Sequence, residues 1–208
     1  MAIAMMVTTE SFTGFSSMRI GMQIEDGWLE NTKRVVSPNS DARPDARPDA
    51  RPGTGPSLIV VHCISLPAGH FGNDYVEQLF TNCLDCDEHG DFDDIRELRV
   101  SSHLFIRRNG LVVQFVPFDR RAWHAGESSF KGRSRCNDFS IGVELEGVDS
   151  GEFTDRQYET LTGVCQLLMA NYSIPADHIV GHSDIAPGRK TDPGPGFNWQ
   201  RLRLSVNA

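Results

Sequence analysis

The chain has 208 residues, 39% of them hydrophobic, and a formal charge of −8 at pH 7. That length supports one domain with a substantial core and is too short for two large ones. The acidic balance gives no general electrostatic pull toward nucleic acid or an anionic lipid surface, so neither is expected as a partner.

Cysteine usage and the N-terminal text narrow the setting. The five cysteines (Cys63, Cys83, Cys86, Cys136 and Cys165) are odd in number and scattered. They fit reduced thiols in a cytosol better than a secreted disulfide framework. Cys83 and Cys86 form one close pair, and no second pair completes a zinc site of that type. In the first twenty residues no basic residue precedes Arg19, and Thr8, Thr9, Glu10 and Ser11 interrupt the apolar stretch. That is not the pattern of a signal peptide. No run approaches the length needed to cross a membrane. A cytoplasmic, monomeric protein is expected.

In chain order, residues 1–21 show no clear period and are expected to form a flexible extension. A single domain is expected over 22–208, its ordered text opening at MQIEDGWLEN. A tetrapeptide repeat follows at 41–52: Asp41-Ala-Arg-Pro44, Asp45-Ala-Arg-Pro48 and Asp49-Ala-Arg-Pro52. Proline at every fourth position spoils helix and sheet hydrogen bonding alike, which predicts an extended linker. LIVVHCI, Leu58 to Ile64, is continuously apolar, as a buried central strand should be. Tyr75, Val76, Leu79 and Phe80 stand at helical spacing within 74–82. SHLFIRR and LVVQFVPF flank Asn109-Gly110, a hairpin signal, because both residues tolerate positive φ. SIGVELEG, Ser140 to Gly147, reads as a further strand. Thr154 and Gln157 give a capping box at a helix start. Tyr158, Leu161, Cys165, Leu168 and Tyr172 supply that helix's apolar face, and Ser173 with Pro175 ends it. A short strand IVGH then leads into the Gly/Pro-rich HSDIAPGRKTDPGPGFNW. Strands and helices alternate without strict βαβ repetition. The expectation is an α/β fold, a single domain with a mixed sheet flanked by helices.

Three features carry chemistry. His62 ends the apolar part of its strand, and ligand sites of open α/β sheets lie beyond strand ends. Alone, a histidine there is more often a satisfied core or loop residue. His182 leaves a strand end, and a loop shaped by proline and glycine returns Asp192. Imidazole and carboxylate both suit zinc, whose catalytic sites take three protein ligands and leave a position open. Asp192 before Pro193 also suits a plain turn, yet so long a structureless loop usually serves a function. Finally, Glu144 and Glu146 share one strand face and Val143 and Leu145 the other. The apolar pair implies a core, so the carboxylates face either solvent or a cleft.

Five blocks (VVHCISLPAGHFG, LRVSSHLFIRRNG, VPFDRRAWHAG, RCNDFSIGVELEG and GHSDIAPGRKTDPGP) closely resemble the AmpD family of N-acetylmuramoyl-L-alanine amidases. The resemblance runs from about Gly27 to Arg203, in the same order and with compatible spacing. It implies a mixed sheet flanked by helices with zinc at one end, held by His62, His182 and Asp192. It further implies Glu144 as the catalytic acid/base and Lys190 beside the reacting carbonyl. Arg99 and Arg135 resemble positions that contact the sugar or carboxylates of the substrate, and Ala186 lies in the loop bordering it. Trp123 and His124 fall in the AWHAG block, where either a packing or a site role fits, and His103 stands likewise. His70, His89 and His178 read as surface histidines. Cys63 stands where relatives carry Asn, which removes or moves one substrate hydrogen bond.

The activity so implied is hydrolysis of the amide between the lactyl group of (1,6-anhydro-)N-acetylmuramic acid and L-alanine, in cytoplasmic peptidoglycan recycling, with a muropeptide as substrate. Two rivals are a muropeptide sensor that does not cut and a lytic amidase acting outside the cytoplasm. Glu144 and Lys190 speak against the first. The lack of an export pattern speaks against the second.

Overall fold

The computed structural model describes residues 22–44 and 55–208. The extension expected over 1–21 and the second and third repeat copies lie outside the described residues. Strands β1 (Ile24–Glu25) and β2 (Trp28–Leu29) form a short antiparallel ribbon. After them come β3 (Lys33–Arg34), β4 (Ser40–Ala42) and the long β5 (Leu58–Ile64). Helix α1 (Tyr75–Phe80) and a 3-10 turn at Gly90–Ile95 precede β6 (Leu104–Ile106), β7 (Val112–Gln114) and β8 (Arg120–Ala122). Two short strands, β9 (Ser129–Phe130) and β10 (Arg133–Ser134), lead to β11 (Ser140–Glu146). The chain closes with α2 (Asp155–Tyr172), β12 (Ile179–Gly181), α3 (His182–Ile185) and α4 (Trp199–Val206).

Among the described residues the main sheet has six strands in the order β12-β5-β11-β6-β7-β3. The β6–β7 hairpin is antiparallel and the other pairings are parallel, so the sheet is mixed, as expected. The hairpin turns at Gly110, with φ +85°, where an added Cβ would lie 2.9 Å from Thr160 Oγ1. Leu58 to Val61 of β5 are wholly inaccessible to solvent, which is why that strand reads as an unbroken apolar run.

Strand β11 shows how alternation divides the molecule. Ile141, Val143 and Leu145 join Ile59 and Val61 of β5 and Leu161, Val164, Cys165 and Leu168 of α2 in the largest apolar cluster. Helix α2 is set in place by the expected capping box, with Thr154 Oγ1 accepting from Gln157 N–H, and it ends at Ser173 in the left-handed conformation. The opposite face of β11 carries Ser140, Gly142, Glu144 and Glu146, all buried. Between solvent and cleft, the two carboxylates therefore take the interior. Glu146 accepts from the backbone N–H groups of Gly72 (2.6 Å) and Arg108 (2.8 Å), tying two loops to the sheet.

The first repeat copy departs from the expected linker. Asp41 and Ala42 pair with Arg121 and Arg120 of β8. Arg43 is buried, and its guanidinium donates to the carbonyls of Phe118, Asn137, Asp138 and Ser140 at 2.9–3.3 Å. Proline penalises pairing only at its own position, so a three-residue strand before Pro44 loses nothing. A fork of five donors also suits a ring of carbonyls better than any other side chain. Burial lowers the Arg43 pKa to about 10, which leaves it charged at neutral pH. Removing it strands buried acceptors, so Arg43→Ala should cost on the order of 3–5 kcal/mol. Urea unfolding measures this, and Arg43→Lys, lacking the fork, should recover only part.

Candidate metal centre

Register builds the site. Strands β12, β5 and β11 lie side by side and parallel, with Val61 level with Gly181 and Val143, and His62 level with Glu144. His182 follows Gly181 directly and so continues the row of His62 and Glu144 at the C-terminal edge of the sheet. The Gly/Pro-rich loop brings the third group. Asp192 accepts at its backbone carbonyl from Ser183 N–H (3.0 Å), and Thr191 Oγ1 donates to Asp149 Oδ2 (2.8 Å). The glycines are needed for contact: a Cβ at Gly194 would lie 2.1 Å from the Asp149 carbonyl oxygen, and one at Gly196 would lie 1.9 Å from that of Gly151.

Three donor atoms converge. His62 Nδ1 and His182 Nδ1 are 3.0 Å apart, and each lies 3.0–3.1 Å from Asp192 Oδ2. His182 Nε2 is 3.1 Å from the Ala125 carbonyl, so it carries the proton and donates there, leaving Nδ1 bare. His62 Nε2 is 2.9 Å from His124 Nδ1. Complete burial lowers the His62 pKa to about 4, against which the Asp192 contact acts more weakly, so His62 is neutral at pH 7. Burial raises the Asp192 carboxyl, but its contacts with His182 and His62 outweigh that and hold it below the usual carboxylate range. Two imidazole nitrogens and a carboxylate oxygen thus converge on one point. Such a set repels itself unless a cation sits among it, and two His with one carboxylate is a donor set of catalytic zinc. Among the described residues this is the group of His, Cys, Asp and Glu able to hold a metal ion.

Glu144 stands beside this set. Its Oε2 is buried with no hydrogen-bond partner among the described residues. Burial first, then the like charge of Asp192, raises its pKa well above the usual range, and Lys190 opposes them. An interior carboxylate left this way is poised to take up a proton. Lys190 is exposed in the loop after α3, with its charge felt by both Glu144 and His62. The buried Ala186 accepts at its carbonyl from Arg189 and Lys190 N–H (3.1 Å each), shaping that loop.

Other expected residues lie apart. Arg99 is exposed and donates to the carbonyls of Arg96 and Leu98; Arg135 is exposed, 3.4 Å from Asp138. Among the described residues no hydrogen bond or ion pair joins either to the donor set. His70 and His89 are exposed, whereas His178 is half-buried on the Ser57 carbonyl. His103 is fully buried, accepting from Gly142 N–H at Nδ1 and donating from Nε2 to the Arg120 carbonyl. Cys63 is half-buried, with its thiol 3.8 Å from the Pro193 carbonyl and its pKa pushed up by burial. Sequence reasoning missed Ser140, Gly142 and Arg189. The first two share the face of Glu144, so the alternation already used for SIGVELE carried their signal. Arg189, which donates to the Ala125 and Glu127 carbonyls (2.6 Å each), had none beyond its place in the loop.

A sequence profile described as N-acetylmuramoyl-L-alanine amidase matches residues 52–195. The chain belongs to the N-acetylmuramoyl-L-alanine amidase family. The matched stretch of the amidase begins at the last residue of the repeat and contains His62, Glu144, His182 and Asp192. Among its relatives is the 1,6-anhydro-N-acetylmuramyl-L-alanine amidase AmpD of Salmonella typhimurium (strain SL1344), 53% identical over 182 residues, covering 88% of this chain and 94% of the relative. The crystal structure of a Se-Met AmpD derivative superposes with a TM-score of 0.84 at 52% identity, covering 89% of this chain and 99% of that one. The Escherichia coli amidase AmiD, solved with the substrate anhydro-N-acetylmuramic acid-L-Ala-D-γ-Glu-L-Lys, superposes with a TM-score of 0.54 at 28% identity, covering 89% and 66%. No described helix of the amidase is long and apolar enough to cross a membrane.

Proposed function

We propose that this amidase hydrolyses the bond between the lactyl group of 1,6-anhydro-N-acetylmuramic acid and L-alanine of the stem peptide, in cytoplasmic peptidoglycan recycling. His62, His182 and Asp192 hold zinc in this reading. The single observation that carries it is the buried Oε2 of Glu144, without a hydrogen-bond partner among the described residues, beside three converging donors. The amidase activity of AmpD and the substrate bound to AmiD support the choice of bond.

When bound, zinc supplies Lewis acidity that polarises a carbonyl and favours deprotonation of water. The rest falls to the protein. Glu144, its proton affinity raised by burial, accepts the proton of the attacking water and returns it to the departing alanine nitrogen. The Lys190 ammonium offsets the negative charge that develops on the carbonyl oxygen. The Ala125 carbonyl engages His182 Nε2, and His124 Nδ1 lies against His62 Nε2, so both rings are held in place. We take the amidase to act as a monomer in the cytoplasm.

The test is peptide release from an anhydromuramyl-tripeptide, followed by mass spectrometry. Cleavage between sugar and alanine supports the reading; tight muropeptide binding without cleavage replaces it with a sensor. The exposed guanidiniums of Arg99 and Arg135 give this acidic protein local positive charge for a peptide bearing several carboxylates. Arg99→Ala or Arg135→Ala should raise KM more than it lowers kcat. The opposite pattern counts against a role in binding.

A further inference from the structure

We propose that His124 and Ser140 are positioning residues that fix the tautomer of His62, through a hydrogen-bond relay anchored on the Cys136 carbonyl. This rests on His62 being a metal ligand through Nδ1. The links are His62 Nε2 to His124 Nδ1 (2.9 Å), His124 Nε2 to Ser140 Oγ (3.0 Å) and Ser140 Oγ to the Cys136 carbonyl (2.6 Å).

The far end sets the direction. A carbonyl oxygen only accepts, so the single hydroxyl proton of Ser140 goes to Cys136. Ser140 Oγ then accepts from His124, which places the one proton of a neutral imidazole on Nε2. His124 Nδ1 is left as an acceptor and takes the Nε2 proton of His62. His62 Nδ1 is thereby bare and faces His182 and Asp192. The proton count allows no other order while both rings are neutral. His182 reaches the same tautomer by a shorter route, directly on the Ala125 carbonyl. Ligating histidines are generally oriented in this way, and loss of the partner typically weakens metal binding.

The relay sits in a built seat. Gly142 lies against the His124 ring, and a Cβ there would come within 2.5 Å of its Cγ. The ring meets His62 edge-on, with centroids 5.0 Å apart and an 84° angle between planes. Asn137 Oδ1 accepts from the backbone N–H groups of both His124 (3.1 Å) and Ala125 (2.8 Å), so one side chain anchors the carbonyl for His182 and the imidazole for His62. Cys136 and Ser140 are buried, which removes water as a competing partner.

The experiment uses the full chain and two readouts independent of turnover. The first is zinc affinity by competition with a chromophoric chelator, for wild type, His124→Ala and His124→Asn. The second is the imidazole tautomer in the metal-free protein, from long-range proton–nitrogen NMR spectra. His124→Ala should weaken zinc binding roughly 10–100-fold. His124→Asn, which puts an amide oxygen where Nδ1 was, should recover most of the loss. His62 should carry its proton on Nε2 in wild type and show a mixture in His124→Ala. Should His124→Ala fail to fold, Ser140→Ala keeps the ring and removes its acceptor, and it should still mix the His62 tautomers. Unchanged zinc affinity in His124→Ala, no recovery in His124→Asn, or a proton on His62 Nδ1 in wild type would each overturn the relay while leaving the ligand set standing. A wild-type protein that takes up no zinc would overturn the ligand set and the relay together.

Discussion

Glu144→Ala is expected to bind zinc as the wild type does and to lose about 10²–10⁴-fold in kcat, the usual contribution of a positioned acid/base. The two halves of the result are separable because Glu144 is not one of the converging donors. Its nearest structural relation to them is register, level with His62 on the neighbouring strand. Truncation also removes a buried carboxylate with an unsatisfied oxygen, so the variant should unfold at a temperature no lower than wild type. Zinc content by elemental analysis, peptide release and a thermal scan check the three statements. Loss of zinc together with activity would move Glu144 into the ligand set, and full activity would remove it from the reaction.

Removing the metal should produce the other large effect, on stability. Three lone-pair donors at about 3 Å repel one another in its absence, and ions that bind only the folded state stabilise by RT ln(1 + [L]/Kd), about 4 kcal/mol at a thousandfold excess over Kd. A strong chelator should therefore lower the melting temperature by several degrees, zinc should restore it, and Asp192→Ala should respond to neither. Acid adds a second lever. The folded pKa of His62 is about 4, below the 6.5 of a free imidazole, so the unfolded chain binds the proton first. Stability of the chelated protein is intact above about pH 6.5 and falls as pH drops toward 4, by about 3 kcal/mol from this group. A chelated protein whose urea midpoint stays flat from pH 7 to pH 4.5 would contradict a neutral, buried His62.

Much of this was legible in the sequence because local and global signals agreed. The apolar run of β5, the Asn109-Gly110 turn and the Thr154/Gln157 capping box each specify one backbone state, and each is found where expected. His62 and His182 were readable through residue type and position at strand ends, and Asp192 through the Gly/Pro-rich loop that returns a carboxylate to them. What alternation could not decide was the surroundings. A strand with Ile141, Val143 and Leu145 on one face and Glu144 and Glu146 on the other looks the same whether the second face meets water or a packed interior. Here segments far away in sequence bury it. The first Asp-Ala-Arg-Pro copy misled for the opposite reason: repetition suggested uniform treatment, and the carbonyl ring that receives Arg43 is built by residues 118–140. His124 stayed open between packing and chemistry because its role depends on Ser140 and Cys136, whose relevance no local pattern announces.

The order of strands has a consequence for how the protein is made. β5 is synthesised early, yet its two sheet neighbours, β11 and β12, lie near residues 140 and 180, and both pairings are parallel. Pairings of such range form slowly and leave apolar strands unprotected meanwhile. A nascent chain that has emerged only through β8 therefore carries Leu58 to Val61 without the two strands that flank them in the sheet. In the ligand set proposed for zinc, His62 precedes His182 and Asp192 by 120 and 130 residues, so a nascent chain that stops short of them carries one donor of the three and no site.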